Sequence, residues 1–281
     1  MQHVLDNPAQ VLDIMREVAD AEILPRYRSL ADHEISEKKP GDLVTIADKE
    51  SEAALSRHLT ALLPDSRVVG EEGYEADHGM LKALAEPGPV WIVDPVDGTY
   101  NFAHGKSPFT VIVALAMDRE ITAGWIIDPV AKDAVWAIRG GGTWISDAAG
   151  TVTQPARLEK PFTDGTMTAG WKLRGRLERA ARELSQPLPK ITERYRCVGR
   201  EYMDIAAGKL DFARYGGLLK PWDHAAGVLI VEEAGGRAQR IDADEPYRLS
   251  TKLNSQSLGV CGARAQWDDF AALAIRADEL T

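Results

Sequence analysis

Two aspartates three residues apart follow an apolar run in the segment WIVDPVDGTYNF, where Asp94 and Asp97 flank a Pro-Val pair. Proline fixes its own φ and biases the residue before it towards an extended conformation. Because the chain can then turn at Gly98, both carboxylates can face one side at the end of a buried strand. Hard divalent cations such as magnesium prefer oxygen ligands of this kind. The alternative is an Asx-turn with two solvated acids, which needs only the local backbone.

The backbone around these aspartates adds groups that suit a metal ion and a phosphate. The turn leaves the Val96 carbonyl free to coordinate a cation. The N–H groups of Gly98 and Thr99 point at an anion if a helical turn begins there.

Three further acidic segments have ordinary structural explanations when each is taken alone. GEEG, residues 70–73, is typical of a surface turn after a strand. In WDHAAG, Asp223 stands where a helix N-cap belongs. In DLVTIAD, Thr45 and Asp48 have the spacing of a capping box, with Asp in place of Glu. The combination of these segments, rather than any one of them, carries the functional signal.

Taken together and in this order, the segments DLVT..AD, GEE, WIVDPVDGTYNFAHG and PWDHAAG resemble the inositol monophosphatase family of magnesium-dependent, lithium-sensitive phosphatases. The match runs from residue 40 to residue 236, and its specific parts lie around Asp94 and Asp223. The resemblance implies a layered αβαβα sandwich of the sugar-phosphatase type, mixed α+β and α/β in character. It also implies a homodimer.

The resemblance assigns a role to each residue at a matching position. The implied metal ligands are Glu71, Asp94, the Val96 carbonyl, Asp97 and Asp223. The implied catalytic residues are Asp48 and Thr99, which orient and deprotonate the attacking water, together with Glu71. The resemblance implies that the Gly98 and Thr99 amides hold the phosphate, beside Asp97 and Asp223. Arg200 and Lys220 are added as substrate-binding candidates because they are basic residues near the last motif. A lysine before DLVT is also expected at the site, and either Lys38 or Lys39 fits.

The implied reaction is hydrolysis of a phosphomonoester with two or three Mg²⁺ ions. Such ions neutralise the phosphate dianion, lower the pKa of a bound water and stabilise the leaving alkoxide. His104 and His224 flank the acidic motifs, but a magnesium site prefers oxygen, so we expect them at the rim or behind the ligands. Trp91 and Trp222 are expected in the core.

The substrate is less well determined than the reaction. On family frequency we expect inositol 1-phosphate. The glutamate that binds a ring hydroxyl in such enzymes has no counterpart here, because the matching place falls at residues 215–217. A basic rim of Arg200, Arg214 and Lys220 would suit a sugar bisphosphate, such as fructose 1,6-bisphosphate, or a nucleotide 3′-phosphate. Acids at 201 and 204 would suit the amine of histidinol phosphate.

A binding role is the remaining alternative, because some members of the family act as partners of the transcription machinery. The net charge of −10 opposes direct contact with nucleic acid or an anionic membrane but not contact with a protein. An intact acidic set favours a working enzyme.

The composition predicts a folded protein without a disulfide scaffold, a structural zinc site or a membrane span. The 281 residues and 44% hydrophobic content are ample for a folded core. Cys197 and Cys261 lie far apart without a Cys-x-x-Cys, which argues against a disulfide scaffold or structural zinc and favours two buried apolar side chains. No signal sequence and no apolar run of about 20 residues is present. A soluble, cytoplasmic protein is expected.

Helices and strands must position these residues. Apolar spacing predicts a helix over residues 8–27, a loop at SEKKPGD and a second helix over LVTIADKESEAALSRHLTALLP. The runs FTVIVALAM, ITAGWII and AVWAI predict an antiparallel meander. Later helices are expected over 174–184, 201–207, 223–234 and 265–280, the third of them ended by αL caps at Gly235 and Gly236.

The chain is expected to divide near residue 150, where it becomes loop-like. Residues 1–150 would form an α+β subdomain with the meander and most metal ligands. Residues 151–281 would form an α/β subdomain that contributes Asp223 and the substrate rim.

Overall fold

Five layers of helices and sheets build the protein, and two mixed β-sheets form the second and fourth of them. The computed structural model describes residues 1–39, 42–156 and 160–280, apart from the side chains of Asp32, Lys39 and Asp42. Its helices are α1 Gln2–Asp6, α2 Ala9–Val18, α3 Ile46–Leu62, α4 Glu71–Ala76, α5 Thr99–Ala103, α6 Trp171–Leu184, α7 Val198–Ala206, α8 Pro221–Glu233 and α9 Trp267–Glu279. Its strands are β1 Ile35–Lys39, β2 Asp42–Thr45, β3 Arg67–Gly70, β4 Pro89–Asp97, β5 Thr110–Met117, β6 Glu120–Asp128, β7 Asp133–Ile138, β8 Gly142–Ser146, β9 Val152–Thr153, β10 Thr166–Thr168, β11 Lys190–Thr192, β12 Phe212–Leu218, β13 Arg237–Arg240, β14 Glu245–Pro246 and β15 Ser255–Cys261.

The first sheet has seven strands in the order β3-β4-β5-β6-β7-β8-β9. From β4 onward each strand pairs antiparallel with the next, while β3 joins β4 in parallel. The meander predicted from the three apolar runs is confirmed as β5 to β7. Both faces of β4 are buried, since Trp91 and Val93 belong to one core cluster and Ile92 to another. This two-sided burial explains why the strand is a continuous apolar run rather than an alternating one.

Two pairs of helices cover the first sheet. Helices α2 and α3 pack on one face with β4 and β6, and α7 and α8 pack on the other. On their far side α7 and α8 meet the second sheet, whose six strands lie in the order β11-β10-β12-β15-β13-β14. Helices α6 and α9 close its outer face around Phe212 and Phe270. The order helix, sheet, helix, sheet, helix confirms the predicted αβαβα sandwich.

The two sheets lie in successive parts of the chain, residues 67–153 and 166–261. Both pack on the same central helices. The division of the chain near residue 150 into two subdomains therefore stays a prediction.

Two predicted elements near the N-terminus are wrong. The segment SEKKPGD was predicted to be a loop. Its residues that the structure describes belong instead to the strands Ile35–Lys39 and Asp42–Thr45, which pair antiparallel. The helix predicted over 8–27 is α-helical only to Val18; a π-helical turn follows over Ala19–Ile23, with the Leu24 amide bonded to the Ala19 carbonyl. Apolar spacing does not distinguish an α-helical turn from a π-helical one.

Helix boundaries in the second half also differ. Helix α7 begins at Val198 rather than at residue 201. Of the two glycines after α8, only Gly235 has a positive φ, +87°. Gly236 is needed for another reason, since a Cβ there would lie 2.5 Å from the Cys261 carbonyl oxygen.

Among the residues that the structure describes, no helix combines the length and the apolar character needed to cross a bilayer. The most apolar one, α8, has 13 residues and is buried between the two sheets.

Candidate active site

The C-terminal end of β4 carries both aspartates of the opening motif. Residues three apart on a regular strand face opposite sides of the sheet. Here Asp94 pairs with Ile112 and Asp97 pairs with Thr110, so β4 advances by three residues while β5 advances by two. This bulge lets both carboxylates line the same pocket. The Asp94 Oδ1 also accepts a hydrogen bond from the Val96 amide at 3.1 Å.

Three carboxylates from three elements meet in this pocket. Glu71 is the first residue of α4, directly after β3, and Asp94 lies on the neighbouring strand. Asp223 lies in the first turn of α8. One oxygen of each carboxylate lies within 4.8 Å of the others, which is a spacing that a metal ion can bridge. The donors are all oxygens, which fits a hard divalent cation.

The electrostatics of this cluster also favour a bound cation. Burial, together with the charges of Glu71, Asp97 and Asp223, raises the pKa of Asp94 well above its usual value. Burial alone would raise the pKa of Glu71 too, but the charges of Lys220 and Lys38 outweigh it and lower that pKa. Converging buried carboxylates repel one another, and a cation among them removes that cost.

Two lysines supply positive charge beside Glu71. Lys220 Nζ lies 2.9 Å from Glu71 Oε1, and Lys38 Nζ lies 3.4 Å from the same oxygen and 2.5 Å from Glu72 Oε1. Of the two lysines predicted before DLVT, Lys38 therefore reaches the site, and the side chain of Lys39 lies outside the described part of the structure.

Asp97 is held in place by the start of α7. Its Oδ2 accepts hydrogen bonds from the Gly199 amide at 2.7 Å and from Thr110 Oγ1 at 3.0 Å. Its Oδ1 accepts one from the Val198 amide at 3.1 Å, and Cys197 Sγ lies 3.1 Å from Oδ2. Among the described residues, Asp97 lines the pocket but is not part of the three-carboxylate cluster.

Asp48 and Thr99 form the predicted pair. The Thr99 hydroxyl has two acceptors within reach: Asp48 Oδ1 lies 3.1 Å from Thr99 Oγ1, and the Val96 carbonyl oxygen lies 3.0 Å from it. Asp48 is the third residue of α3, and its Oδ2 accepts bonds from the amide and the hydroxyl of Thr45. The predicted capping box is thus confirmed. Burial raises the pKa of Asp48 to about 7, against the lowering effect of the Thr45 bonds.

Gly98 makes the turn between β4 and α5. Its φ is +91°, in the left-handed region, and a Cβ there would lie 3.2 Å from the Arg196 and Pro108 carbonyl oxygens. Helix α5 begins at Thr99, so the amides of Gly98 and Thr99 lie at a helix start, where backbone donors lack helical partners. Both residues line the acidic pocket.

Of the three residues predicted for the basic rim, Lys220 lines the acidic pocket and the two arginines do not. Arg200 is not at the acidic pocket; its side chain is bound by Asp204 and Asp133 and lies 3.7 Å from Asp128. Arg214 pairs with Asp278. Local sequence placed both arginines near the motif, but helix α7 turns Arg200 towards β7 and β12 directs Arg214 towards α9. Lys220 does line the pocket.

The arginine that lines the acidic pocket is Arg196. It is exposed, lies in the left-handed region at φ +56°, and its guanidinium carbon lies 4.3 Å from the centre of the Tyr100 ring. Tyr100 belongs to the opening motif and is 38% exposed. The only sequence signal for Arg196 was its place in the basic stretch ERYRCVGR.

A second residue that sequence reasoning missed is Glu52. Its carboxylate accepts bonds from the Glu72 and Gly73 amides at 2.8 and 2.7 Å, so it fixes the start of α4 and with it Glu71. Burial raises its pKa to about 7, against these two bonds. The available signal was spacing, because Asp48 and Glu52 share one buried face of α3.

The histidines, tryptophans and cysteines near the acidic motifs do not line the acidic pocket. His224 is buried, its ring nitrogen lies 3.1 Å from the Tyr202 hydroxyl, and burial lowers its pKa to about 3. His104 stacks on Tyr100. Trp91 and Trp222 are buried as predicted. Both cysteines are free and buried, but Cys197 also contacts Asp97, which a purely apolar role did not predict.

A family model, curated proteins and solved structures all match this chain. The model of the inositol monophosphatase family matches residues 7–278. The inositol-1-monophosphatase of Bacillus subtilis is 31% identical over 75% of this chain and 77% of its own. A Thermotoga maritima protein named fructose-1,6-bisphosphatase/inositol-1-monophosphatase is 31% identical over 76% of this chain and 78% of its own. A solved IMPase structure from Thermotoga maritima has a TM-score of 0.76 at 22% identity, covering 98% of this chain and 99% of that one, and so shares the fold.

Proposed function

Because this chain belongs to the inositol monophosphatase family, whose members are phosphoric monoester hydrolases, we propose that it is a Mg²⁺-dependent phosphatase of a small phosphorylated metabolite, with inositol 1-phosphate as the first candidate substrate. The observation that supports this most directly is the set of three carboxylates within 4.8 Å of one another beside the hydrogen-bonded pair of Asp48 and Thr99.

The chain's own residues divide the work of the reaction. Glu71, Asp94, Asp223, Asp97 and the Val96 carbonyl would hold two or three Mg²⁺ ions. Bound Mg²⁺ supplies charge neutralisation for the phosphate dianion, a more acidic water and stabilisation of the leaving oxygen. The α7 amides already align the Asp97 carboxylate, so it would need little reorganisation to hold an ion.

Thr99 and Asp48 act on the water. Asp48 Oδ1 accepts the Thr99 hydroxyl, so the Thr99 oxygen keeps a lone pair with which to orient a water on the pocket side. The proton removed from that water passes through Thr99 to Asp48, whose pKa of about 7 suits a base near neutral pH. The Gly98 and Thr99 amides hold the phosphate oxygens at the start of α5.

A sugar bisphosphate is a second candidate substrate. Two cations, Arg196 and Lys220, line the acidic pocket, and the name of the Thermotoga maritima relative includes fructose 1,6-bisphosphatase. The place where the resemblance expects a glutamate for a ring hydroxyl falls at Tyr215, Gly216 and Gly217, none of which is acidic. These features favour a substrate that carries a second anionic group besides the phosphate that is cleaved.

Turnover of a panel of phosphomonoesters, ranked by kcat/KM with and without Mg²⁺, tests the proposal. We expect phosphate release only with Mg²⁺, with inositol 1-phosphate or a sugar bisphosphate ranked first. Asp94→Asn keeps the size of the side chain and should reduce kcat/KM by more than the roughly 100-fold typical of residues behind a metal ligand. Turnover near the wild-type rate in this variant, with the circular dichroism spectrum unchanged, would refute the metal site. Lithium sensitivity and dimerisation stay predictions from the resemblance.

A further inference from the structure

Glu52 is a buried acid that the reaction outlined above does not use. It lies on α3 one helical turn after Asp48 and is 8% exposed. Within residues 1–39, 42–156 and 160–280, no lysine or arginine forms an ion pair with it. Removing a carboxylate from water without a cation beside it is costly, and an apolar side chain would fill the same space without that cost. A role beyond packing is therefore indicated.

Both oxygens of Glu52 are bound to the start of α4. Oε2 accepts a hydrogen bond from the Glu72 amide at 2.8 Å, and Oε1 accepts one from the Gly73 amide at 2.7 Å. These amides belong to the first turn of the helix, where backbone donors lack helical partners. Because two bonds reach one carboxylate, they fix the rotation of this turn as well as its position.

Gly70 leaves room for this carboxylate. A Cβ there would lie 2.4 Å from Glu52 Cδ, and its three nearest atoms would all belong to the Glu52 carboxylate. The backbone of Gly70 is extended, at φ −123° and ψ 167°, which any residue can adopt. Glycine is therefore required here by space and not by backbone conformation. The segment GEEG is shaped around Glu52, which its appearance as a surface turn did not indicate.

The metal ligand Glu71 lies between these contacts. Gly70 precedes it, and the two amides that Glu52 binds follow it directly in the chain. One carboxylate oxygen of Glu71 belongs to the cluster within 4.8 Å. Ligands of a metal site must be held to within about 0.5 Å of the productive geometry. A shift or rotation of the first turn of α4 would therefore displace Glu71 from the other two carboxylates.

We propose that Glu52 is a positioning residue of the metal site, which holds the first turn of α4 and thereby places the Glu71 carboxylate where it binds Mg²⁺. The inference rests on the proposed phosphatase function and deepens it. Because Asp48 and Glu52 lie one turn apart on α3, the same helix positions both the group that acts on the water and a ligand of the metal.

Calorimetric titration of Mg²⁺ into the substrate-free protein tests this role. Glu52→Gln replaces one acceptor oxygen by an NH₂ group, so that one amide of α4 loses its partner. Glu52→Asp keeps the charge, but its side chain is one methylene shorter and cannot reach both amides. We expect both variants to raise the Mg²⁺ dissociation constant by about 10–100-fold, as is typical of residues behind a metal ligand. If only the charge of Glu52 mattered, Glu52→Asp would bind Mg²⁺ like the wild type.

Gly70→Ala disturbs the same contact from the other side. The added methyl group overlaps the Glu52 carboxylate and displaces it from the two amides. The Mg²⁺ dissociation constant should rise here too. In the double variant Glu52→Gln/Gly70→Ala it should rise hardly further, because both changes break one contact. Fully additive effects would show that Gly70 acts on the metal site independently of Glu52 and would contradict the inference.

Two controls lie on α3 beside Glu52. Ser51→Ala removes a buried hydroxyl that bonds to the carbonyls of Ala47 and Asp48 within the helix. Glu50→Gln removes an exposed acid. Both should keep the wild-type Mg²⁺ affinity, so that neither a loss of stability in α3 nor a loss of negative charge explains the result at Glu52.

Wild-type Mg²⁺ affinity in Glu52→Gln and Glu52→Asp, with circular dichroism spectra that show both to be folded, would overturn the inference. If the wild type binds no Mg²⁺, the proposed function fails instead, and hydrogen exchange in the metal-free protein decides whether Glu52 positions α4. The amides of Glu72 and Gly73 should then exchange faster in both Glu52 variants than in the wild type and Ser51→Ala. Exchange at the wild-type rate in the Glu52 variants would refute the positioning role.

Discussion

At the scale of single residues, Asp48 does two things with one carboxylate. Its Oδ2 completes the capping box with Thr45, and its Oδ1 accepts the Thr99 hydroxyl. The cap fixes the side chain in one orientation, so Thr99 meets an acceptor that is already aligned. The same burial that makes the cap rigid raises the pKa of Asp48 to about 7, which is the range in which a general base works well.

Asp48→Asn should therefore lower kcat by about 10²–10⁴-fold, the usual contribution of a general base. Asparagine can still accept a bond from the Thr45 amide, so the free energy of unfolding should change far less than activity does. Thr99→Ser keeps the hydroxyl and serves as the control, with most of the activity retained. Comparable kcat values for Asp48→Asn and wild type would show that another group takes the proton.

The pH profile of the wild-type enzyme gives a second readout of the same residue. A base must be ionised, so log kcat/KM should rise with pH below the pKa of Asp48 and level off above it. The inflection should lie at or below pH 7, because bound cations favour the ionised carboxylate. In Asp48→Asn the residual activity should lose this inflection; if the inflection persists, it belongs to a different group.

At the scale of elements, α7 is the support of the site. Its first amides hold Asp97, and the next residue, Arg200, anchors the same turn of the helix. Arg200 Nη1 donates to both carboxylate oxygens of Asp133, at 2.9 and 2.8 Å, and Arg200 Nε donates to Asp204 Oδ1 at 3.1 Å. Thus Arg200 connects the β6–β7 region to the helix that aligns Asp97, and it does not line the pocket itself.

Replacing Arg200 should disturb both stability and metal use. Arg200→Met leaves Asp128, Asp133 and Asp204 without a cation and should cost about 3–5 kcal/mol of unfolding free energy. Arg200→Lys keeps the charge but not the planar fork, so it should fold and yet need more Mg²⁺ for half-maximal activity. Thermal melting and Mg²⁺ activation curves measure the two effects.

The matched control is Arg214→Lys, since Arg214 also forms a largely buried pair, with Asp278, but far from Asp97. It should lose stability without a change in the Mg²⁺ requirement. An Arg200→Lys enzyme whose Mg²⁺ curve overlays that of the wild type would limit Arg200 to a role in stability.

At the scale of the whole molecule, the site exists only because five layers pack together. Glu71 follows β3 at the edge of the first sheet, Asp94 lies near the C-terminal end of β4, and Asp223 lies in the first turn of the central helix α8. Folding therefore assembles carboxylates that are 152 residues apart in sequence, from 71 to 223, and their mutual repulsion is a cost that a cation offsets.

Mg²⁺ should consequently stabilise the folded protein as a ligand does. Mass action gives about 2.7 kcal/mol at 100 times the dissociation constant, and about 2–4 °C of Tm per kcal/mol is usual for large domains. We expect Tm to rise by several degrees from EDTA to saturating Mg²⁺ in the wild type and hardly at all in Asp94→Asn. Equal shifts in both proteins would place the cation elsewhere.

Sequence reasoning succeeded where a signal is local. Short-range patterns predicted four features that the structure has: the capping box of Thr45 and Asp48, the meander from β5 to β7, the helix α8 and the burial of Trp91 and Trp222. It failed for the π-helical turn after Val18, because the backbone hydrogen-bond pattern of a helix does not show in its apolar spacing. It also failed for β1 and β2, because these strands are largely polar and lack an apolar pattern.

The amino-acid sequence by itself determined the chemistry of this protein, because the types and order of the acidic residues around Glu71, Asp94 and Asp223 resemble a single family. The tertiary structure alone decided which cations face the pocket. Arginines near a motif in sequence are carried to opposite sides by a helix and a strand, so Arg200 and Arg214 became internal ion pairs while Arg196 reached the rim. Side-chain direction is a property of the packed elements, and it is not encoded in the spacing of the charges.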